Sequence, residues 1–274
     1  MTASEGEAGR PRFERDRDRP ELAHLIMDGV VQATIDTEDP KVLDADYMRR
    51  ISYFIDASAP SGRPIRALHL GGGALALARY VAAARPRSYQ QAVEPNREVI
   101  DLVRADAPLP KGVKVKMRCG DAREELEKAP EDCYDFIITD VFQDARIPGH
   151  VATREFVGEV ARVLRPGGLY AANLCDGGRR TFARSALSAV RAEFAHALIA
   201  APGAVLRGGT FGNILVLASA APLPIEDVRR RFATDPFPCR LVEGAELDDF
   251  IAGARALSDE AAMDSPVPPK GAFR

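Results

Sequence analysis

The sequence predicts an α/β protein, a doubly wound and mostly parallel sheet of seven strands preceded by a small N-terminal β-hairpin. Short apolar runs alternate with helical periodicity through the centre of the chain, which favours a parallel sheet with helices on both faces. The first of these runs ends in three consecutive glycines at 71–73. The last two runs have no helical pattern between them, so we expect them to pair antiparallel.

The predicted elements follow one another at short intervals. The hairpin lies in HLIMDGVVQATID, where Asp28-Gly29 forms a turn before a β-rich run. Strands of the sheet are expected at 65–70, 88–94, 113–119, 134–142, 169–174, 197–201 and 214–219. Helical spacing of apolar residues predicts helices at 43–54, 75–84, 96–104, 121–128, 153–164, 181–194, 225–232 and 247–257. Asn96 is expected to cap the helix that it begins.

The chain divides into four segments. Residues 1–20 are polar and charged, which predicts a disordered tail. Residues 21–60 contain the hairpin and one helix, and residues 61–222 form the α/β domain. Residues 223–274 are expected to be a helical extension and tail, and the last ten residues, which are rich in proline, are expected to be loose.

Composition and charge exclude several classes of function. A formal net charge of −3 gives no broad attraction to nucleic acid or to an anionic membrane. The N-terminus lacks the apolar core of a signal peptide, and no apolar stretch reaches the ~18 residues of a spanning helix. The four cysteines show no metal-ligand spacing. We therefore expect a cytoplasmic protein without a metal, and its oligomeric state, including a homodimer, stays open.

The glycine turn is the first feature that points to a ligand. In HLGGGALALARY, residues Gly71, Gly73 and Ala76 fit the pattern G-x-G-x-x-A at the end of the first strand. Such a turn allows a ligand to approach the backbone closely, with the N–H groups of the following helix pointing at it. The same glycines can also form a tight turn with no ligand, so the motif alone is weak.

Acidic residues end the next three strands of the sheet. Glu94 ends the second strand, where a carboxylate can accept hydrogen bonds from both hydroxyls of a ribose. Asp121 follows the third strand and can accept a hydrogen bond from an adenine amino group. Asp140 ends the very apolar fourth strand, where a carboxylate is seldom placed unless it is paired or functional. Together with the glycine turn, these acids identify 61–222 as a nucleoside-binding domain.

Residues 27–224 resemble the spermidine synthase family of aminopropyltransferases, within the class I S-adenosylmethionine-dependent methyltransferase fold. The resemblance is strongest to the actinobacterial spermidine synthase-like proteins. Its matching pieces are MDGVVQ at 27–32, LHLGGGA at 68–74, VEPN at 93–96, GDA at 120–122, YDFIITDVF at 134–142 and VLRPGG at 163–168. The glycine turn and VLRPGG are shared with methyltransferases in general, whereas MDGVVQ favours the aminopropyltransferase branch.

The resemblance implies a role for each candidate residue. Decarboxylated S-adenosylmethionine, or S-adenosylmethionine itself, would be held by Gln32, Gly71, Gly72, Gly73, Glu94, Asp121 and Ala122. Asp140 would handle the attacking amine of a putrescine-like acceptor, and Tyr47 would position it. The loop acids Asp144 and Asp176 would add negative charge that attracts a polyamine.

Three positions depart from the family pattern. The Tyr-His-Glu segment reads Tyr-Met-Arg at 47–49, so its histidine and glutamate are absent. The aspartate that binds the amino end of the aminopropyl arm is replaced by Ala74. The Asp-Ser-Ser-Asp loop reads Asp-Val-Phe-Gln-Asp at 140–144. The motifs expected to bind the nucleoside are therefore complete, whereas those expected to bind the polyamine have lost several of their residues.

The chemistry implied is a substitution at a carbon bonded to positively charged sulfur. An alkylamine with a pKa near ~10.4 is mostly protonated at neutral pH, so a carboxylate such as Asp140 would have to receive its proton. A methyltransferase with an unknown acceptor is the alternative. Ala74 favours it, because an aspartate at this position would repel the carboxylate of the methionine part of the cofactor. A non-catalytic nucleoside-binding protein would explain the missing histidine and glutamate. A nicotinamide dehydrogenase does not predict Asp121 or the antiparallel strand pair.

Overall fold

A small antiparallel sheet precedes the main domain in the computed structural model, which describes residues 9–272. Its strands, in the order β1-β2-β3, are β1 (Arg12–Arg15), β2 (Leu22–Met27) and β3 (Val30–Asp36). Asp28 and Gly29 join β2 to β3 with φ values of 52° and 74°, as a tight hairpin turn requires. The predicted hairpin is thus confirmed. The disordered tail predicted at 1–20 is wrong for β1, and residues 1–8 lie outside the described residues.

The main sheet has eight strands. They are β4 (Arg66–Leu70), β5 (Tyr89–Glu94), β6 (Val115–Cys119), β7 (Tyr134–Thr139), β8 (Leu164–Asp176), β9 (His196–Ala201), β10 (Gly212–Ser219) and β11 (Arg240–Glu243). Their spatial order is β11-β9-β10-β8-β7-β4-β5-β6. Strands β4 to β8 pair in parallel, whereas β10 pairs antiparallel with both β8 and β9. The predicted parallel sheet with an antiparallel terminal pair is confirmed.

Two elements of the main domain differ from the sequence prediction, which has seven strands and no helix between the last two. The eighth strand, β11, pairs antiparallel with β9 at the sheet edge. It has only four residues, RLVE, which is too short for a periodic signal. A single helical turn, α7 (Gly203–Leu206), also lies between β9 and β10, where no helix was expected.

Helices cover both faces of the main sheet. Apart from α7, they are α1 (Asp46–Ala57), α2 (Ala76–Ala84), α3 (Arg97–Asp106), α4 (Ala122–Glu127), α5 (Arg154–Val163), α6 (Thr181–Glu193), α8 (Ile225–Ala233) and α9 (Gly244–Ile251). The side chain of Asn96 accepts hydrogen bonds from the N–H groups of Glu98 and Val99, which confirms it as the cap of α3. No helix within residues 9–272 is long and apolar enough to cross a membrane.

Strand β7 shows why both faces of the sheet are apolar. Ile137 packs into the core on the side of α5 and α6, whereas Phe136 and Ile138 pack into the core on the side of α1 and α2. All three side chains are buried. A strand covered on both faces has a continuous apolar run, which here is FII at 136–138.

The C-terminal segment is packed against the domain, so the loose tail expected from its proline content is wrong for the part around Ser265. Ser265 is fully buried. Its Oγ accepts a hydrogen bond from the N–H of Ile147 at 2.8 Å, and its own N–H donates to the Ile147 carbonyl at 3.0 Å. Asp264 accepts a further hydrogen bond from the N–H of Gly149. These bonds hold the loop that follows β7 in place.

Candidate functional site

A cavity of about 510 Å³ opens where the carboxyl ends of β4, β5 and β7 meet. The hairpin strand β3 and the start of α1 cover it, and a residue of β8 forms part of its floor. Of the residues predicted from the sequence, those that line this cavity are Gln32, Tyr47, Gly71, Gly72, Gly73, Glu94 and Asp140. The hairpin therefore lies beside the glycine turn at the carboxyl edge of the sheet, which brings Gln32 to the cavity.

The glycine turn brings two strand ends into direct contact. Gly71 has a φ of +91°, a conformation that other residues adopt only with strain. A Cβ atom at this position would lie far inside the van der Waals contact distance to the Asp140 carbonyl oxygen. The N–H of Asp140 also donates to the Leu70 carbonyl at 2.8 Å. Only glycine at 71 therefore lets the backbone that carries Asp140 lie this close to β4.

Glu94 joins the glycine turn to the beginning of α3. Its Oε2 accepts a hydrogen bond from the N–H of Gly73 at 2.9 Å, and its Oε1 accepts one from the N–H of Asn96 at 3.0 Å. A carboxylate has about four lone-pair sites, so each oxygen keeps capacity for a second donor. Glu94 is thus held in one orientation with acceptor capacity left for hydroxyl groups in the cavity.

Asp140 lies at the centre of a hydrogen-bonded cluster that includes Tyr47 and Asn173. The Tyr47 hydroxyl donates to Asp140 Oδ2 at 2.8 Å, and Asn173 Nδ2 donates to Asp140 Oδ1 at 3.0 Å. Burial raises the pKa of Asp140, although both hydrogen bonds favour its ionised form. Burial and the neighbouring Asp140 charge raise the pKa of Tyr47 well above its ordinary value. The cluster therefore presents a neutral phenol beside a carboxylate with an increased affinity for protons.

Asn173 is a site residue that the sequence analysis did not identify. Its side chain is 3% exposed and lines the cavity. Its Oδ1 is buried without a hydrogen-bond partner, which is unfavourable unless a ligand supplies a donor. The available signal was a single amide within the apolar strand segment LYAANLC.

Asp121 and Ala122 do not line the cavity. Asp121 Oδ1 accepts hydrogen bonds from the N–H groups of Arg123 and Glu124 as the N-cap of α4, and its Oδ2 contacts His150 Nε2 at 3.1 Å. Burial acts against ionisation, but these hydrogen bonds hold the pKa of Asp121 below its ordinary value. Both oxygens are engaged, so the adenine contact remains a prediction.

The two loop acids also lie outside the lining of the cavity. Asp144 is exposed and occupies a tight turn in which the N–H of Arg146 donates to the Gln143 carbonyl. Asp176 is buried, and its carboxylate accepts hydrogen bonds from the N–H groups of Gly177 and Ala183. Asp176 therefore stabilises the turn into α6, and the structure gives neither acid a contact with the cavity.

The charged groups around the cavity are acidic. Those that line it are Asp44, Asp46, Glu94 and Asp140, and no lysine or arginine appears among the described lining residues. The one histidine, His69, is buried, and burial lowers its pKa to about 4, so it is neutral at physiological pH. No cluster of potential metal ligands occurs within residues 9–272. Asp44 is paired with Arg19 at 3.4 Å, and Asp46 is paired with Arg50 at 2.7 Å. The unpaired negative charge of Glu94 and Asp140 therefore favours a cationic ligand.

The departures at 47–49 and 74 can be placed in this geometry. Met48 and Ala74 line the cavity and add apolar surface. Arg49 turns away, and its Nε contacts Asp235 Oδ2 at 3.4 Å. Two of the replacements thus put apolar side chains on the cavity wall where the family has polar ones, and the third puts an arginine in contact with Asp235.

Comparisons with known proteins agree with this geometry. A methyltransferase domain profile matches residues 68–172. A polyamine aminopropyltransferase of Chromobacterium violaceum is 27% identical over 242 residues, which are 85% of this chain and 85% of that protein. A spermidine synthase 1 of Pisum sativum is 30% identical over 149 residues, but the match covers 42% of that protein.

Two solved structures match most of the chain. The crystal structure of a probable spermidine synthase from Corynebacterium glutamicum superposes with a TM-score of 0.82 at 30% identity, and the match covers 91% of this chain and 92% of that one. A spermidine synthase from Thermotoga maritima, 17% identical, superposes with a TM-score of 0.54 and shares the fold.

Proposed function

The chain belongs to the spermidine synthase family and is a transferase, and we propose that it moves an aminopropyl group from decarboxylated S-adenosylmethionine to a small amine. One observation carries this proposal: a carboxylate, Asp140, is held by Tyr47 and Asn173 inside an acidic cavity beside the glycine turn. Both reactants are cationic before reaction. The cavity lining has two acids without an ion-pair partner, Glu94 and Asp140, and no lysine or arginine among its described residues.

The nucleoside half of the site consists of the glycine turn and Glu94. The fixed carboxylate of Glu94 accepts hydrogen bonds from the ribose hydroxyls, through the lone pairs that the N–H groups of Gly73 and Asn96 leave free. The hairpin residue Gln32 is exposed and lies at the cavity wall, where it contacts the nucleoside from above. The bound sulfonium supplies an electrophilic carbon and leaves as a neutral thioether, so this half only has to bind and orient.

Replacement of Glu94 by alanine tests the nucleoside half. We expect Glu94→Ala to weaken methylthioadenosine binding by about 1.5–3 kcal/mol, the range of hydrogen bonds to a charged group. Calorimetric titration measures the change. Glu98→Ala is the matched control, because Glu98 is an exposed acid in the first turn of α3 and does not line the cavity. Unchanged affinity in Glu94→Ala would remove this residue from the nucleoside site.

The acceptor half consists of Asp140, Tyr47 and Asn173. The raised pKa of Asp140 increases its affinity for the proton that the attacking amine must lose. The unpartnered Oδ1 of Asn173 accepts a hydrogen bond from the amine and helps to aim its lone pair. The Tyr47 hydroxyl, already bonded to Asp140, fixes the orientation of the carboxylate. Positioning of this kind contributes a large part of the rate of two-substrate reactions.

Ala74 leaves the aminopropyl ammonium without its usual counter-charge, so discrimination between the two forms of S-adenosylmethionine is expected to be weak. The side chain is 1% exposed and lines the cavity, so an acid introduced there would face the ligand in a poorly solvated place. Ala74→Asp should increase the preference for the decarboxylated form by about 10- to 100-fold, the equivalent of one charged hydrogen bond. Ala74→Asn, with the same shape and no charge, is the control. Equal preference in both variants would contradict the assignment of this position.

Methyl transfer is the second candidate, and Ala74 is the observation that favours it. Against it stands the absence of lysine and arginine among the described residues that line the cavity, because a methionine carboxylate would enter an acidic site with no cation. Calorimetric titration with decarboxylated S-adenosylmethionine, S-adenosylmethionine, methylthioadenosine and NAD separates the candidates. We expect decarboxylated S-adenosylmethionine and methylthioadenosine to bind, S-adenosylmethionine to bind somewhat more weakly, and NAD not to bind. Binding of S-adenosylmethionine alone would favour methyl transfer, and binding of methylthioadenosine without turnover would indicate a non-catalytic homologue.

A further inference from the structure

A second concavity, of about 420 Å³, lies between the beginning of α6 and the end of α9. Its lining combines three arginines, Arg179, Arg180 and Arg184, with an apolar wall formed by Ile251, Ala252 and Ala254. None of these residues lines the nucleoside cavity. We call this feature the arginine pocket.

The three arginines of this pocket lack acidic partners. Arg191, on the same helix, lies 3.7 Å from Asp248 and so is paired. Within residues 9–272, none of the three pocket arginines has a carboxylate at ion-pair distance. The Nε atoms of Arg180 and Arg184 are buried without a hydrogen-bond partner. Buried donors of this kind are unfavourable unless a ligand accepts from them.

Aromatic and backbone contacts, rather than acids, hold these guanidinium groups. Arg180 lies 5.5 Å and Arg184 lies 5.9 Å from the centre of the Phe250 ring. Arg180 also donates a hydrogen bond to the Leu206 carbonyl. These contacts fix the two groups close to each other, and burial together with the Arg184 charge lowers the pKa of Arg180. The positive charge of the pocket is therefore fixed in place, and none of it is paired with an acid at ion-pair distance within residues 9–272.

Asp176 is the acid that acts on Arg180, and its oxygens are already used. They accept hydrogen bonds from the N–H groups of Gly177 at 2.7 Å and Ala183 at 2.9 Å. The carboxylate thus stabilises the turn, and its charge acts on Arg180 from beyond ion-pair distance. Three arginines and one nearby carboxylate leave a local excess of positive charge, although the formal net charge of the chain is −3.

We propose that the arginine pocket binds the phosphate group of a small molecule. The planar guanidinium fork matches the geometry of phosphate oxygens, and the exposed Arg179 adds a third cation at the mouth. The volume is that of a small-molecule site, and Ile251, Ala252 and Ala254 offer an apolar wall for the rest of the ligand. The proposal does not depend on the reaction in the nucleoside cavity, because the two cavities share no lining residue.

Calorimetric titration of the full chain with inorganic phosphate, pyrophosphate and ribose 5-phosphate, at constant chloride concentration, tests this proposal. We expect saturable binding of at least one probe. Tighter binding of ribose 5-phosphate than of inorganic phosphate would identify a phosphorylated organic ligand, and the reverse order would identify a free phosphate. Arg184→Gln and Arg179→Gln should each raise the dissociation constant by about tenfold, as expected for the loss of charged hydrogen bonds. Arg179 is exposed, so its variant decides the outcome if Arg184→Gln fails to fold.

Arg191→Gln is the matched control, because this paired arginine lies on the same helix outside the pocket. It should bind the probes as the wild type does. Absence of saturable binding, or equal loss in Arg191→Gln and Arg179→Gln, would overturn the proposal. Binding whose strength depends on ionic strength alone would also overturn the proposal, because the attraction of an anion to exposed surface charge needs no pocket.

Discussion

Asp140→Asn is expected to reduce turnover by about 10²–10⁴-fold, the usual contribution of a positioned general base. Asparagine keeps the shape of the side chain, so Tyr47 can still donate to it, but it cannot receive the proton of the amine. Affinity for methylthioadenosine should change little, because the proposed task of Asp140 concerns the acceptor. Steady-state assays with putrescine, together with titration of the nucleoside, measure both quantities.

Two controls accompany this variant. Asp144→Asn removes an exposed acid four positions later that does not line the cavity, and it should turn over at a rate close to the wild type. Because burial raises the pKa of Asp140 in the folded state, its ionisation costs stability above that pKa. The asparagine variant should therefore be no less stable than the wild type at neutral pH, and the difference should shrink as the pH falls toward ~3.9. Equal rates for Asp140→Asn and wild type would exclude Asp140 as the base.

Gly71→Ala should cause the largest loss of stability of the variants considered. The positive φ alone costs about 1–3 kcal/mol for a residue with a Cβ atom. The added atom would also displace the Asp140 carbonyl, so the total should exceed ~3 kcal/mol and turnover should fall with it. Gly62→Ala separates the two effects, because Gly62 has a φ of +72° but open space around the position of a Cβ atom.

Urea unfolding of both glycine variants measures these differences. Gly62→Ala should show only the cost of the backbone conformation. A Gly71→Ala variant that loses no more stability than Gly62→Ala would mean that β4 and β7 are not held together at this glycine. The close approach that places Asp140 beside the nucleoside turn would then be wrong.

Much of the main sheet could be predicted because its strands carry strong local signals. YDFIIT contains three consecutive large apolar residues at 136–138, and the glycines at 71–73 mark the end of β4. Elements held by isolated contacts gave no such signal. Strand β1, with the sequence RFER, has one apolar residue and depends on its pairing with β2. The packed C-terminal segment depends on a few hydrogen bonds from Ser265, which has no periodic pattern to reveal it.

The candidate site shows a similar division. The sequence and the family resemblance together predicted Glu94, Asp140 and Tyr47, which all line the cavity. The hydrogen bond between Tyr47 and Asp140 joins residues 93 positions apart. Asn173 was missed because its position in an apolar strand does not show that its oxygen lacks a partner. Asp121 and Asp176 were assigned to ligands, yet both carboxylates bind backbone N–H groups at a helix start, a common role for aspartate.

The central claim is the transfer of an aminopropyl group to an amine. The most direct measurement is to incubate the purified protein with putrescine and either decarboxylated S-adenosylmethionine or S-adenosylmethionine, and to identify the products by mass spectrometry. We predict methylthioadenosine and spermidine in equal amounts from the decarboxylated form, and no methylated amine from either. Formation of S-adenosylhomocysteine with a methylated acceptor, and no spermidine, would contradict the account.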